Sequence, residues 1–349
     1  MSKMRIGLMA LVIVVLVVSF SFVGCKTTTV AETTAAETVA ETTAAVTTAA
    51  ETTAAVTTAT AEKFKIVALC ANFDDKWMSY MHQAMTDAGV AFSDVADVTL
   101  VDAKNVYETQ LAQAENAIAE GADAIVLVAL NTAEPSPIVD MCATAGIPLV
   151  SINRILANQD LATAYVGSDE VVAGELEMGY LAEQAGGKGN VAIIMGEPDH
   201  SGAIGRTQGY MNIMAKYPDM KEVLRETAHW SRAEAQTLME NWLQAKEEFT
   251  IVACNNDESS IGAILGMQSQ KVDPTPYFIG GVDATPDGLD YLNKGFIDCT
   301  VFQNAKGQGY GGIETAVKIL QGETVPAIVW IPYELVTPAD YDKYIALWQ

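Results

Sequence analysis

The sequence predicts an α/β protein of two Rossmann-like domains, each a mainly parallel sheet covered by helices on both faces. Three observations carry this. From Lys63 onward, short β-branched runs alternate with stretches of helical spacing, the rhythm of βαβ units. The runs end in polar residues, as in Thr250-Ile-Val-Ala-Cys-Asn-Asn-Asp257, and ligands of open α/β sheets sit at that edge. Finally, roughly ten such runs approach the limit of one open twisted sheet, so two facing sheets are the simpler solution. At 349 residues the chain has room for about two domains of ordinary size.

The N-terminus precedes this pattern. Lys3 and Arg5 are followed by an apolar run from Leu8 to Val18 and then small residues before Cys25. That is the layout of a secretory leader over residues 1–24. Phe22-Val-Gly-Cys25 resembles the lipobox of bacterial lipoproteins, in which the cysteine is lipidated, although Leu is usual where Phe22 stands. An uncleaved anchor is the alternative. Either way, the rest of the chain is expected outside the cytoplasm and tethered to the membrane. Residues 25–62 are nearly all Ala, Thr, Glu and Val, without an aromatic residue, and read as a disordered linker.

The globular part divides into strand and helix signals in order. Lys65–Ala71, Val98–Val101, Ala124–Leu130, Ile147–Ile152 and Ala164–Gly167 are strands of a first domain. Met78, Met81, His82 and Met85 mark a helix, with His82 expected on its surface, and Leu111, Ala114 and Ile118 mark another. The rhythm restarts at Val191–Met195, then Val223–Thr227, Thr250–Cys254, Tyr277–Gly281 and Thr300–Phe302. Ser231-Arg-Ala-Glu234 reads as a capping box for a helix burying Leu238 and Trp242. Val329–Glu334 is expected as one last strand.

Composition excludes several functions. A formal charge of −24 argues against a nucleic-acid surface. Cys70, Cys142, Cys254 and Cys299 form no C-x-x-C pair, so buried thiols are expected and neither a metal nor a cofactor. Gly307-Gln-Gly-Tyr-Gly-Gly312 satisfies G-x-G-x-x-G. It lies too late in the chain for a dinucleotide site, so close helix packing is expected there. No G-x-S-x-G, H-E-x-x-H or Cys/His dyad argues for an enzyme.

The chemistry is expected at the strand tips: Asp75 and Trp77, Asn153 and Arg154, His200, Asn256, Asp283 and Gln303, with Arg206 and Trp230 close behind other strands. Planar amides, carboxylates and guanidinium groups suit the hydroxyl edge of a sugar ring, and indoles suit its C–H faces. Two arginines offset by two carboxylates suit a neutral ligand. Each residue also has a structural use: Asp75 and Asp283 as helix caps, Asn256 in a turn, Trp230 as core filler, the arginines in ion pairs, and His200 as an exposed loop residue. His229 reads as an incidental neighbour of Trp230, and Trp242, Trp330 and Trp348 as packing residues.

At these residues the chain resembles the type I periplasmic binding proteins of sugar ABC transporters, near the galactose/glucose- and ribose-binding branches. Phe73-Asp-Asp-Lys-Trp-Met-Ser79 is similar to the first-strand segment of the former, which implies that Asp75 and Trp77 face a sugar. Gly196-Glu-Pro-Asp-His-Ser-Gly-Ala203 followed by Arg206 is similar to its hinge-proximal loop, implying His200 and Arg206 as contacts. Trp230, Asn256 and Asp283 match its remaining sugar positions, while Asn153, Arg154 and Gln303 resemble the ribose branch. Gly202 stands where the galactose/glucose branch is acidic, and the calcium loop of that branch is missing around Gly186-Gly-Lys-Gly-Asn190.

The resemblance implies a three-segment hinge with crossings near Gly167, Gln303 and Val329. One domain would hold 63–167 plus 304–329, the other 168–303 plus 330–349. The implied function is capture of a monosaccharide or cyclic polyol by a monomer, without turnover, and delivery to an ABC permease. A receptor for a sugar-like signal, or a sensor feeding a chemoreceptor, is the alternative.

Overall fold

The computed structural model describes residues 62–348. The expected leader, Cys25 and the linker up to residue 61 lie outside the described residues. Among the described residues no helix is long and apolar enough to cross a membrane.

The first strands are β1 (Phe64–Cys70), β2 (Ala96–Asp102), β3 (Ala124–Leu127), β4 (Leu149–Ile152) and β5 (Ala164–Gly167). Between and after them come α1 (Lys76–Ala91), α2 (Tyr107–Ala119), α3 (Pro137–Ala145) and α4 (Glu170–Gln184). The second series is β6 (Lys188–Met195), β7 (Asp219–Thr227), β8 (Ile251–Cys254), β9 (Phe278–Gly280) and β10 (Thr300–Phe302). Its helices are α5 (Ser201–Met214), α6 (Arg232–Ala245), α7 (Asp257–Ser269) and α8 (Pro286–Asn293). The chain ends with α9 (Ala305–Leu320), β11 (Ile328–Trp330), β12 (Glu334–Val336) and α10 (Tyr341–Ile345).

Two parallel sheets result, as expected. The six-stranded one runs β11-β5-β4-β3-β1-β2 and the four-stranded one β7-β6-β8-β9, with β10 and β12 forming an antiparallel pair beyond β9. Side-chain alternation explains why helices cover both faces. In β1, Ile66, Ala68 and Cys70 pack on Met81 and Met85 of α1 and Ile313 of α9, while Leu69 packs with Ala114 of α2 and Ile138 of α3. In β8, Val252 and Cys254 meet Met239 of α6 and Ile264 of α7. Ile251 and Ala253 meet Leu181 of α4 and Tyr210 of α5. Each such Leu, Ile or Met side chain contributes about 1.5–3 kcal/mol by leaving water. The chain passes between the sheets after β5, after β10 and after β11.

Several local expectations need correction. Val329–Glu334 is not one strand: β11 joins the six-stranded sheet beside β5, and β12 pairs with β10. Pro332 lies between them and has no N–H to continue a ladder, so pairing stops and the chain crosses. Trp330 is not a packing residue. It sits on the edge strand of its sheet, 50% exposed, with the Tyr165 ring edge-on at 5.8 Å.

His82 is buried rather than on the helix surface, because it shares the inward stripe of Met78, Met81 and Met85 at helical spacing. Its Nε2 has no partner among the described residues, and burial pushes its pKa down to about 4. Ser231 does accept from the Glu234 N–H and so caps α6. The Glu234 carboxylate, however, reaches exposed His229 at 2.8 Å, so the box is only half made.

The four described cysteines are free and buried. The glycine motif lies inside α9, where a Cβ on Gly309 would stand 2.3 Å from the Met81 carbonyl and one on Gly312 would stand 2.5 Å from Ile152. These glycines let α9 approach α1 and β4.

Beneath the second sheet's tips lies a buried acid. Glu177 of α4 accepts from the Tyr210 hydroxyl at 2.5 Å and the Cys254 N–H at 3.1 Å, and burial raises its pKa to about 8. Between the ordinary carboxylate value of 4.5 and about 8, the folded state holds a proton that the unfolded state has lost. Stability from this group is therefore full below that window and lost as pH rises through it. The ligand-free protein is expected to melt at progressively lower temperature from about pH 5 to about pH 8. Glu177→Gln should flatten that slope. An identical slope in the variant, measured by calorimetry, would rule Glu177 out as its source.

Candidate functional site

The sequence-predicted residues converge. Asp75, Trp77, Asn153, Arg154, His200, Arg206, Trp230, Asn256, Asp283 and Gln303 all line one cavity, together with Met78 and Glu170. It encloses about 380 Å³, counting space open to solvent. The reason for the convergence is topological. Asp75 follows β1, Asn153 follows β4, His200 follows β6, Trp230 follows β7, Asn256 follows β8, Asp283 follows β9 and Gln303 follows β10, all at carboxyl ends of strands.

Many of these side chains are held by the structural bonds weighed against them, and line the cavity as well. Asp75 caps α1 by accepting from the Met78 N–H at 2.7 Å, and Asn256 caps α7 by accepting from the Ser259 N–H at 3.0 Å. His200 is buried rather than an exposed loop residue, because it caps α5, its Nδ1 accepting from the Gly202 N–H at 2.8 Å. The ring's proton is therefore on Nε2. Burial and the two nearby arginines hold the imidazole neutral, its pKa well below 6.5. Gly202 leaves the imidazole room, since a Cβ would lie 3.0 Å from the ring and press it aside. Asp283 caps nothing; Thr285 caps α8 instead.

The two arginines differ. Arg206 is tied down: Nε to Glu170 at 2.8 Å, Nη1 to the Asn255 carbonyl at 2.6 Å, and Nη2 to Gln303 Oε1 and the Tyr333 hydroxyl at 3.0 Å each. Arg154 donates to the Ala129 carbonyl at 2.7 Å and touches the Met78 sulfur at 3.9 Å, with no carboxylate in ion-pair range among the described residues. Among the described residues its buried Nε has no partner, and neither does the amide nitrogen of Gln303. Burial pulls the Arg154 pKa down, while Glu197 and Asp75 oppose that shift.

Asp283 is the complement. Its carboxylate accepts no hydrogen bond from the described residues and lies 4.0 Å from Arg206 Nη1. Burial raises its pKa well above the usual range, against the pull of Arg206. Its backbone is strained as well, at φ +125, and Asn153 and Trp230 sit at +63 and +64. Left-handed conformations at non-glycine residues cost about 1–3 kcal/mol each and cluster at functional sites.

The indoles are placed by close packing. Trp230 lies so near Gly196 that a Cβ there would stand 2.0 Å from the ring. Its Nε1–H donates to the Glu197 carboxylate, Arg206 lies 5.6 Å over the ring, and His200 packs edge-on at 5.0 Å. Trp77 is buried, its Nε1–H donating to the Gln303 carbonyl at 3.1 Å. Sequence reasoning misses Met78, Glu170 and the adjacent Tyr333. Met78 follows the tip of β1, where the strand-tip rule could have found it, whereas Glu170 reads as an ordinary acidic helix start.

Two parallel-sheet lobes, linked by three crossing segments and sharing one polar cavity at their strand tips, define a solute-binding architecture. The model of the periplasmic binding protein domain family matches residues 66–324, and the chain belongs to that family. A putative rhizopine-binding protein of Rhizobium meliloti is 37% identical over 284 residues, covering 80% of this chain and 92% of that protein. A ribose import binding protein of Bacillus subtilis is 30% identical over 240 residues, covering 69% of this chain and 77% of its own length. Among solved structures, an ABC transporter solute binding protein from Bacillus halodurans with bound myo-inositol superposes with a TM-score of 0.78. It is 38% identical and covers 81% of this chain and 98% of its own.

Proposed function

We propose that this protein captures a neutral cyclic polyol or monosaccharide outside the cytoplasm and delivers it to an ABC transporter permease. The observation that carries the reading is the unspent hydrogen-bonding capacity of the cavity. Among the described residues, Arg154 Nε and the Gln303 amide nitrogen are buried donors without partners, and the Asp283 carboxylate on the cavity wall accepts no hydrogen bond. His200 adds an N–H through its fixed tautomer. Unpaired buried groups of this kind cost about 1–3 kcal/mol each, which a polyhydroxylated ligand recovers. Each ring hydroxyl both donates and accepts, so one ligand satisfies both kinds.

A cyclic polyol is preferred because the 38%-identical solved protein holds myo-inositol. The two lobes, which part at the crossings after β5, β10 and β11, close about these crossings when the ligand joins their halves of the site. The protein acts as a monomer, without turnover, and is held to the membrane through lipidated Cys25 by the 25–62 linker.

Two measurements test this. Removing Met1–Glu62 is expected to leave a soluble, folded, ligand-binding protein, because strand pattern begins only after the Ala/Thr repeats end. A thermal-shift panel of myo-inositol, D-ribose, xylitol, glucose and galactose should raise the melting temperature for a subset. At a hundredfold excess over Kd the gain is about 2.7 kcal/mol. No shift with any of them would sink the ligand class. Separately, Cys25→Ala should move the full chain from the membrane to the soluble fraction of expressing cells; retention in the membrane would refute the lipid anchor.

A further inference from the structure

The three chain crossings each place one polar side chain on the same guanidinium. After the first, Glu170 at the start of α4 accepts from Arg206 Nε at 2.8 Å. At the second, just past β10, Gln303 Oε1 accepts from Nη2 at 3.0 Å. At the third, between β11 and β12, the Tyr333 hydroxyl accepts from Nη2 at 3.0 Å and donates to Glu170 Oε2 at 2.7 Å. The Asn255 carbonyl takes a hydrogen of Nη1. A guanidinium has five N–H groups, so one remains among the described residues, on Nη1, whose nitrogen lies 4.0 Å from Asp283 Oδ1 on the cavity wall.

We propose that Tyr333 is a positioning residue that couples ligand capture to the hinge, by holding Arg206 in the orientation that presents its remaining N–H to the ligand. The inference rests on the polyol-binding reading above. Tyr333 itself does not line the cavity. Among the described residues its hydroxyl is the one group bonded to both Glu170 and Arg206, so a twist of the third crossing relative to α5 must break one of these bonds or drag the guanidinium. The ligand's bond to Arg206 is then complete at only one hinge angle, and binding energy is spent on closure. Trp330, three residues earlier at the end of β11 and half-exposed, is placed to report its movement.

The test uses the full chain with myo-inositol and D-ribose as probes. Tyr333→Phe removes only the hydroxyl. It should bind about tenfold more weakly than the parent, with the loss in the dissociation rate, because the contacts of first encounter are intact. Ligand-induced compaction in small-angle X-ray scattering should shrink, and so should the part of the ligand-induced fluorescence change that Trp330→Phe removes from the parent. A core-filling tyrosine would instead lower the ligand-free melting temperature and leave affinity and compaction alone; that result overturns the proposal.

Hydrogen exchange on the parent gives a second measurement that needs no variant. The amides of Ile331, Tyr333 and Glu334 should exchange more slowly with ligand, and unchanged exchange overturns the coupling. A parent that binds neither probe nor any other polyol of the panel refutes the functional reading and this inference together. A parent that binds while Tyr333→Phe matches it refutes this inference alone.

Discussion

Asp283→Ala is expected to weaken polyol binding by about 3 kcal/mol, roughly a hundredfold, while making the ligand-free protein more stable. The two effects have one origin. Asp283 is a buried carboxylate with no hydrogen-bond donor among the described residues, and its nearest cation is 4.0 Å away and already bonded to Glu170. Burying such a group costs more than its distant partner returns. Its φ of +125 adds backbone strain, which Ala retains and which Asp283→Gly would relieve as well. Ligand hydroxyls repay the carboxylate by donating to it, so removing it forfeits strong charge-assisted bonds in the complex. Asn256→Ala should also weaken binding, but at a cost in stability, since Asn256 caps α7 and bonds the Trp230 carbonyl. Calorimetric titration and melting of both variants check this. An unchanged Kd in both would remove the cavity from ligand binding.

Much of this site is legible in the sequence, because its logic is local. A buried strand must be apolar on both faces, and the first residue free of that demand is the one past its carboxyl end. Polar runs such as Asn153-Arg154, Asn255-Asn256-Asp257 and Gln303-Asn304 therefore announce themselves. Glu170 does not. Ser168-Asp-Glu170 reads as an ordinary acidic helix start, and its role is set by Arg206 on another helix. Tyr333 is hidden for the same reason, in a stretch that reads as continuous strand until Pro332 is given its weight.

The misplacements have equally plain causes. His82 satisfies the inward spacing of α1, yet its polarity argues for the surface; packing overrides polarity and leaves Nε2 without a partner. Trp330 satisfies strand pattern, but nothing local says that its strand will be an edge. Nor does the sequence signal strain at Asn153, Trp230 and Asp283, because none of them is glycine. Three of the cavity residues are thus held at positive φ without glycine's freedom, as are others away from the cavity such as Lys104 and Lys271.

The tryptophans give the second large effect. Trp77 comes from α1 and Trp230 from the tip of β7, so the two reach the cavity from different sheets. If each covers a C–H face of a ring, the ligand dries the partly exposed Trp230 and changes the contacts of the already buried Trp77, and intrinsic fluorescence should shift saturably with the right polyol. Trp242 is buried and supplies a constant signal, but half-exposed Trp330 does not, so the measurement belongs in a Trp330→Phe background. Trp230→Ala there should weaken binding by about 2 kcal/mol, roughly thirtyfold, through lost aromatic contact area. It should also free the Glu197 carboxylate and uncover Arg206. Trp230→Phe keeps part of the ring surface and loses only the bond to Glu197, so a loss of less than about tenfold is expected. Trp77→Ala should cost a similar amount, with an added contribution from its hydrogen bond to the Gln303 carbonyl, because that bond steadies the second crossing. Tight binding by both alanine variants, at the parent Kd for a ligand found in the panel, would mean that the ring is not held between indoles and that the donors and acceptors at the strand tips act alone.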